Sequence, residues 1–298
     1  MGLIEIKTTP SKLHLAVEER IPDVGAMKYD VLETLFCGQS EYQYVNVVRT
    51  KGHGVMLFLD GLVMVSERDE FVYHDMISHV PLFLHPNPTR VLVIGGGDGG
   101  TAREVLRHPS VTRCCMVEID GMVVDVSKKF IPQTACVFDN PKLDLRIDDG
   151  VRFLAETEEV FDVILIDSTD PIGPAAPLFD QGFYKNIYRA LAPDGIVVSQ
   201  CESAFFERSA QRSLLGIVAG VFENTYLYNY NNLTYPGGLW SFVLGSKSLH
   251  PIRDFKPERV KASGLKFDYY NPSIHKAAFC LPQFQLEYLG DLFVDPTL

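Results

Sequence analysis

The chain has 298 residues, 46% of them hydrophobic, with 27 basic and 38 acidic side chains and a net charge of −11. That length allows one large domain or two modest ones with a sizeable core. The acidic balance argues against nonspecific binding to nucleic acid or an anionic membrane. No apolar run reaches the ~20 residues of a membrane span. The start, Met1-Gly-Leu-Ile-Glu-Ile-Lys7, lacks the basic and apolar regions of a signal peptide. The six cysteines (Cys37, Cys114, Cys115, Cys136, Cys201, Cys280) show no Cys-x-x-Cys spacing. That is the usage of a reducing compartment, so the chain is expected to be cytoplasmic.

In chain order, residues 1–67 read as a small antiparallel β-rich domain. Strands are predicted at 42–50, 55–60 and 62–66, with turns at Lys51-Gly-His-Gly54 and Asp60-Gly61. A helix is predicted over 67–84, with Phe71, Ile77, Val80 and Leu84 on its apolar face. It ends at the breaker His85-Pro-Asn-Pro88. Strands at 90–94, 113–117, 143–147, 162–166 and 195–200 then alternate with helices at 101–108, 120–130, 150–157 and 181–191. Such alternation predicts a parallel sheet with helices on both faces. Segments 225–230 and 239–245 read as a hairpin at the end of that sheet, and the remainder as short helices. The expected fold is thus α/β: a Rossmann-like, mostly parallel sheet in a domain of residues 68–298, preceded by the β-rich domain of 1–67. Cys114 and Cys115, adjacent in a strand, are expected to face opposite ways as core residues.

The chemistry centres on Thr89-Arg-Val-Leu-Val-Ile-Gly-Gly-Gly-Asp-Gly-Gly-Thr101. A buried strand, a G-x-G-x-x-G turn through Gly95, Gly97 and Gly100, and a helix start form a nucleotide-binding arrangement. Glu118 ends the next strand, where a carboxylate can grip ribose hydroxyls. Asp98, inside the turn, would repel a pyrophosphate and so favours a nucleoside that carries positive charge. Ligands of such sheets bind at the carboxyl ends of the strands. Asp98, Glu118, Asp149 with Gly150, Asp167 and Asp170 all follow predicted strands, so five carboxylates are expected along one rim. Asp149 alone reads equally as a helix N-cap; for Asp170-Pro171 the start of a turn is the lesser reading. In Phe161-Asp-Val-Ile-Leu-Ile-Asp-Ser-Thr-Asp-Pro-Ile-Gly-Pro174 a strand delivers Asp167 to that rim, and a proline-stiffened loop follows that can cover the site.

With these segments, Glu41-Tyr-Gln43, Glu67-Arg-Asp-Glu-Phe-Val-Tyr-His74, Val117-Glu-Ile-Asp120, Asp148-Asp-Gly150 and Thr234-Tyr-Pro-Gly237 stand in one chain. The sequence resembles the spermidine synthases (polyamine aminopropyltransferases) over nearly its whole length. The resemblance implies a class I methyltransferase-like fold. It also implies transfer of an aminopropyl group from decarboxylated S-adenosylmethionine to putrescine, giving spermidine and methylthioadenosine. On that resemblance, Gln43 and Glu118 hold the donor ribose, and Asp149 and Gly150 its adenine. Asp98, with Asp167 or Asp170, holds the ammonium of its aminopropyl arm, and Pro174 belongs to the loop over it. Tyr73, His74, Asp167, Ser168, Thr169, Asp170 and Tyr235 line the acceptor channel. Asp167 is the proton acceptor, with Tyr73 as its partner. The resemblance implies no metal and no cofactor, the donor being a co-substrate. Two departures stand out: Ala176 occupies a position that is commonly polar or acidic, and Ile21 to Met27 lacks an aromatic residue often present there.

The physical reading runs alongside. A donor with a sulfonium and an ammonium but no carboxylate suits a site of anions, whereas the α-carboxylate of S-adenosylmethionine would meet Asp98. Other readings remain open: the same reaction on cadaverine, agmatine or spermidine, an S-adenosylmethionine-dependent amine N-methyltransferase, a nucleoside-binding module without turnover, or a nicotinamide-dependent dehydrogenase. Small-molecule substrates are expected as partners, not nucleic acid or membrane. The edges of the β-rich part are expected to pair in a homodimer or homotetramer.

Overall fold

The protein is seen in a computed structural model that describes residues 15–169 and 173–297. The chain opens with an antiparallel sheet of β1 (Ala16–Ile21), β2 (Gly25–Gln39), β3 (Tyr44–Thr50), β4 (Gly54–Leu59) and β5 (Leu62–Ser66), paired in that order. The last three are the expected strands. β1 and β2 were not anticipated, and their burial explains why: Glu19 is the one buried side chain of β1 and Tyr29 the one of β2. An outer hairpin with so little core carries no apolar alternation to read.

Helix α1 (Glu70–Leu84) follows, then β6 (Arg90–Gly95), α2 (Gly100–Arg107), β7 (Arg113–Glu118), α3 (Gly121–Phe130), α4 (Pro132–Ala135), β8 (Leu143–Ile147), α5 (Gly150–Glu156) and β9 (Phe161–Asp167). After a 3-10 segment over Gly173–Phe179 come α6 (Gln181–Ala190), β10 (Leu191–Ser203), α7 (Arg208–Ala219), the hairpin β11 (Asn224–Asn231) and β12 (Leu239–Ser246), and α8 (Pro257–Ala262), α9 (Pro272–Ala278) and α10 (Gln283–Leu289). The second sheet has the order β11-β12-β10-β9-β6-β7-β8. β6 to β10 pair in parallel, and the hairpin closes one edge antiparallel. This is the expected Rossmann-like sheet. α7 and α4 went unpredicted, and α1 begins at Glu70 rather than at residue 67. The reason is local: Glu67 still belongs with the first sheet, its N–H donating to the Val55 carbonyl at 3.0 Å and its carboxylate accepting the Val55 N–H at 2.6 Å.

The inner strands β6, β7 and β9 and the second half of β10 are buried on both faces, which is why they read as apolar runs, whereas the edge strand β8 is only partly buried and alternates. Val91, Val93, Val163 and Leu165 join α1 and α2 in one core, while Leu92, Ile94, Ile164 and Ile166 join α6 and α7 in the other. Cys114 packs in the first core and Cys115 in the second, as their adjacency required. The strand order reverses between β6 and β9, which are neighbours although far apart in the chain. Gly95 pairs there with Asp167. That reversal is the topological switch point, where an open α/β sheet leaves a crevice for ligand.

Candidate active site

The crevice is built by the glycine turn. Gly95 has φ +81° and Gly96 φ +72°, conformations that L side chains rarely adopt. A Cβ on Gly95 would strike the Asp167 carbonyl, and one on Gly100 would strike the His74 ring. The turn is therefore glycine because two functional elements press against it. Its backbone lets Asp98, Asp167 and His74 approach: one polar atom from each lies within 4.8 Å of the others.

Asp167 ends β9 and faces the cavity. Its Oδ1 accepts from the Tyr73 hydroxyl at 2.7 Å, and its Oδ2 from the Thr101 hydroxyl at 2.7 Å. Burial, then the anion of Asp98, raises the Asp167 pKa; His74 and the two hydroxyls act in the opposite direction. Tyr73 stays a phenol, because burial and the adjoining Asp167 push its pKa well up.

Asp98 is buried, and its Oδ1 accepts the Gly100 N–H at 2.9 Å. His74 stands between two carboxylates, with Nδ1 at 2.5 Å from Glu70 and Nε2 at 3.4 Å from Asp98. Burial disfavours its charge, but Asp98 and Glu70 outweigh that and raise its pKa to about 10. Glu70 is partly buried; His74 and Arg103 more than offset the desolvation and hold it at about 2. Arg103 grips Glu70 with both terminal nitrogens at 2.9 Å. The imidazolium corrects one sequence argument. Asp98 is not a bare anion, so its repulsion of an α-carboxylate is weaker than the sequence alone suggested.

At the other end, Glu118 terminates β7 and accepts the Asp120 N–H at 2.8 Å. Burial raises it to about 7, with the charges of Asp120 and Asp167 adding to the effect. Asp120 caps α3 through the Met122 N–H and holds the Gln43 amide at 2.9 Å. Asp149 caps α5, accepting from the Val151 N–H at 2.8 Å, and also lines the cavity. Gly150 follows it on the cavity wall, against Ile94.

The cavity thus brings together Gln43, Tyr73, His74, Asp98, Glu118, Asp149, Gly150, Asp167, Ser168, Thr169 and Tyr235. Tyr235 donates to the Met64 carbonyl at 2.7 Å, and its ring meets that of Tyr73 edge-on. Of the five carboxylates expected on one rim, four meet in this space. Asp170 lies outside the described residues, as does the side chain of Pro174. Sequence reasoning missed Thr101, Glu70 and Arg103. Only Glu70 had a legible signal, its i,i+4 spacing from His74 on a helix.

Among the described residues, two groups have spacings that suit a metal ion: His74, Asp98 and Asp167, and Asp75, His79 and Glu104. The second group is already satisfied. Asp75 accepts the Tyr269 and Tyr270 N–H groups, and Glu104 is paired with Arg103, Arg107 and His79. A cation there would face two guanidinium groups. The first group opens on the cavity, and there the charged His74 ring already supplies a cation beside the carboxylates. Among the described residues no helix is long and apolar enough to cross a membrane.

Residues 17–67 match the family described as spermidine synthase tetramerisation domain, and residues 70–257 the spermine/spermidine synthase domain. A polyamine aminopropyltransferase of Bacillus subtilis (strain 168) is 48% identical over 254 residues, covering 85% of this chain and 91% of the relative. One from Desulforudis audaxviator is 45% identical over 272 residues, covering 91% and 98%. A crystal structure of spermidine synthase with the transition state analogue AdoDATO shares the fold with a TM-score of 0.92 at 40% identity, covering 94% of this chain and 96% of that one. The spermidine synthase of Thermotoga maritima has a TM-score of 0.89 at 38% identity, with the same coverage. With both parts of the chain matched and relatives of this identity along most of its length, the protein belongs to the spermine/spermidine synthase family and is an aminopropyltransferase.

Proposed function

We propose that this chain is a spermidine synthase, transferring the aminopropyl group of decarboxylated S-adenosylmethionine to putrescine. The observation that carries the reading is the meeting of Asp98, Asp167 and Tyr73 in one cavity at the switch point. Gln43 and Glu118 take the ribose, Asp149 and Gly150 the adenine, and the loop with Pro174 covers the donor. Asp98, with Asp167 or Asp170, takes the ammonium of the aminopropyl arm. Tyr73, His74, Ser168, Thr169, Asp170 and Tyr235 line the acceptor channel. The donor is consumed as a co-substrate, and the reaction calls for no cofactor or metal.

Putrescine enters as a diammonium ion, yet only a neutral amine can attack. With a lysine-like pKa of ~10.4, freeing it at pH 7 costs roughly 4–5 kcal/mol. Asp167 takes that proton locally. The hydroxyl of Tyr73 holds one oxygen of the carboxylate and so fixes where the proton must go. The nitrogen lone pair then forms the new C–N bond as the C–S bond breaks. Its electrons return to sulfur, and methylthioadenosine leaves neutral. Much of the rate comes from holding nitrogen, carbon and sulfur in line and excluding water.

The test is a product assay with purified protein, decarboxylated S-adenosylmethionine and a panel of putrescine, cadaverine, agmatine and spermidine. Spermidine and methylthioadenosine in equal amounts from putrescine are the expected result. A methylated amine, or preference for another amine, overturns it. The tetramerisation-domain match, with exposed Leu32 and Tyr44 on the first sheet and exposed Val24 and Tyr42 in its turns, supports a homotetramer over a homodimer. A monomer by light scattering rules out both. A cytoplasmic location follows from the same reading, since free cysteines such as Cys37 and Cys136 stand exposed.

A further inference from the structure

We propose that Thr101 is a positioning residue that sets the basicity of Asp167, an inference that rests on Asp167 as the proton acceptor. Thr101 is fully buried in the first turn of α2, directly after the glycine turn. Its hydroxyl lies 2.7 Å from Asp167 Oδ2, on the side of the carboxylate away from Tyr73. An ionised carboxylate only accepts, so the threonine donates. Thr101 stands behind the carboxylate and is not part of the cavity wall. Tyr73 can meet the substrate there; Thr101 acts only through Asp167. Gly96 completes the fit, because a Cβ on it would lie 2.9 Å from the same Oδ2.

The need for such a donor follows from what surrounds the base. Asp98 of the glycine turn and Glu118 of β7 oppose its ionisation. Tyr230 of β11 is buried and Tyr235 of the following loop partly so, and both are uncharged. From α1, His74 contributes a cation and Tyr73 a hydroxyl. A carboxylate this deep, beside another, tends to hold its proton. A protonated Asp167 cannot accept one from the amine. A hydroxyl bonded to each oxygen favours the anion and leaves each oxygen a further lone pair. Thr101 thereby fixes both the rotamer of the base and the pH at which it becomes competent.

The experiment is the pH profile of kcat/KM for putrescine in the wild type, Thr101→Val, Thr101→Ser and Asp167→Asn. Valine keeps the shape and removes the hydroxyl; serine restores the hydroxyl. The titration of putrescine is common to all four proteins, so only an enzyme group can move the acid limb between them. A charge-assisted hydrogen bond predicts that Thr101→Val moves that limb up by about 1–2 pH units. Thr101→Ser is expected to return it to the wild-type position. Should the valine variant not fold, Thr101→Ala carries the same expectation. An acid limb unmoved in the hydroxyl-free variant overturns the role of Thr101. Near-normal turnover by Asp167→Asn overturns the base assignment beneath it, which separates the two failures.

Discussion

Glu118 offers the sharpest quantitative test of the donor site. Burial lifts its pKa from 4.5 to about 7. In the proposed assignment Glu118 holds the donor ribose, whose hydroxyls are hydrogen-bond donors, so binding calls for the ionised carboxylate. The protein before binding holds Glu118 protonated in a fraction that grows as pH falls. A ligand that binds only the ionised form loses apparent affinity in proportion to that fraction. With the group at about 7, roughly nine-tenths is ionised at pH 8 and one-tenth at pH 6, so affinity falls about tenfold between them. The same raised pKa acts on folding. Between 4.5 and about 7 the folded chain keeps a proton that the unfolded chain has lost. The contribution of this group to stability is therefore fullest below 4.5 and declines as pH rises toward 7. Methylthioadenosine is the right probe, because it carries the ribose without the cationic arm. Calorimetric titration at pH 6, 7 and 8 is expected to show the tenfold loss, and Glu118→Gln to flatten the profile. A wild-type affinity constant across this range, or a slope that survives in the glutamine variant, refutes the reasoning.

Three further outcomes follow from the same geometry. Asp167→Asn is expected to lower turnover at least ~100-fold while methylthioadenosine still binds, as loss of a general base should; steady-state and binding measurements on one preparation decide it. Asp98→Ala is expected to weaken the decarboxylated donor roughly 10–100-fold while leaving methylthioadenosine nearly unaffected, since a charge-assisted contact is lost; equal weakening of both ligands in calorimetry counts against its placement on the ammonium. Gly100→Ala would drive a methyl group into the buried His74 ring, and thermal melting together with donor binding is expected to show both impaired.

Much of this site was legible in the sequence because backbone demands leave residue types behind. The glycine turn, the strand that ends at Glu118 and the strand that ends at Asp167 each show as an apolar run with an acid at its end. Parallel pairing then places those ends on one rim. What stayed hidden depended on packing between distant elements. Nothing in Thr101 says that its hydroxyl faces a residue 66 positions away. Arg103 reads as a surface helix residue until α1 brings Glu70 against it. By residue type and helix position alone His74 reads more readily as a surface or core residue than as a site residue; it is core in burial, but its two ring nitrogens both face carboxylates. The hairpin of β1 and β2 escaped because it buries almost nothing apolar, whereas the inner parallel strands β6, β7 and β9 bury both faces.

The boundary drawn at residue 67 also conceals how the first sheet serves the site. Asp69, read as part of a helix, instead precedes α1 and accepts from the Leu233 N–H at 2.9 Å, the Thr234 N–H at 2.8 Å and the Thr234 hydroxyl at 2.5 Å. Tyr29 of β2 donates to the Thr234 carbonyl at 3.1 Å, and the next residue, Tyr235, reaches the Met64 carbonyl of β5. The ring of Tyr235 on the cavity wall is therefore held by the N-terminal sheet and by one carboxylate. Asp69→Ala removes that carboxylate. The Thr234 N–H keeps Asn232 Oδ1 at 2.7 Å, so the buried loss centres on the Thr234 hydroxyl. One buried donor left unmet costs about 1–3 kcal/mol, read as a lowered denaturant midpoint. Because the loosened segment carries Tyr235, assigned above to the acceptor, and neither Glu118 nor Gln43, KM for putrescine should rise while methylthioadenosine binds as before. Asp69→Asn keeps an acceptor and should fall between. If the alanine variant loses stability with KM unchanged, Tyr235 is placed by other contacts. If nucleoside binding falls equally, the two halves of the cavity are not mechanically separate, and the argument from Asp69 fails.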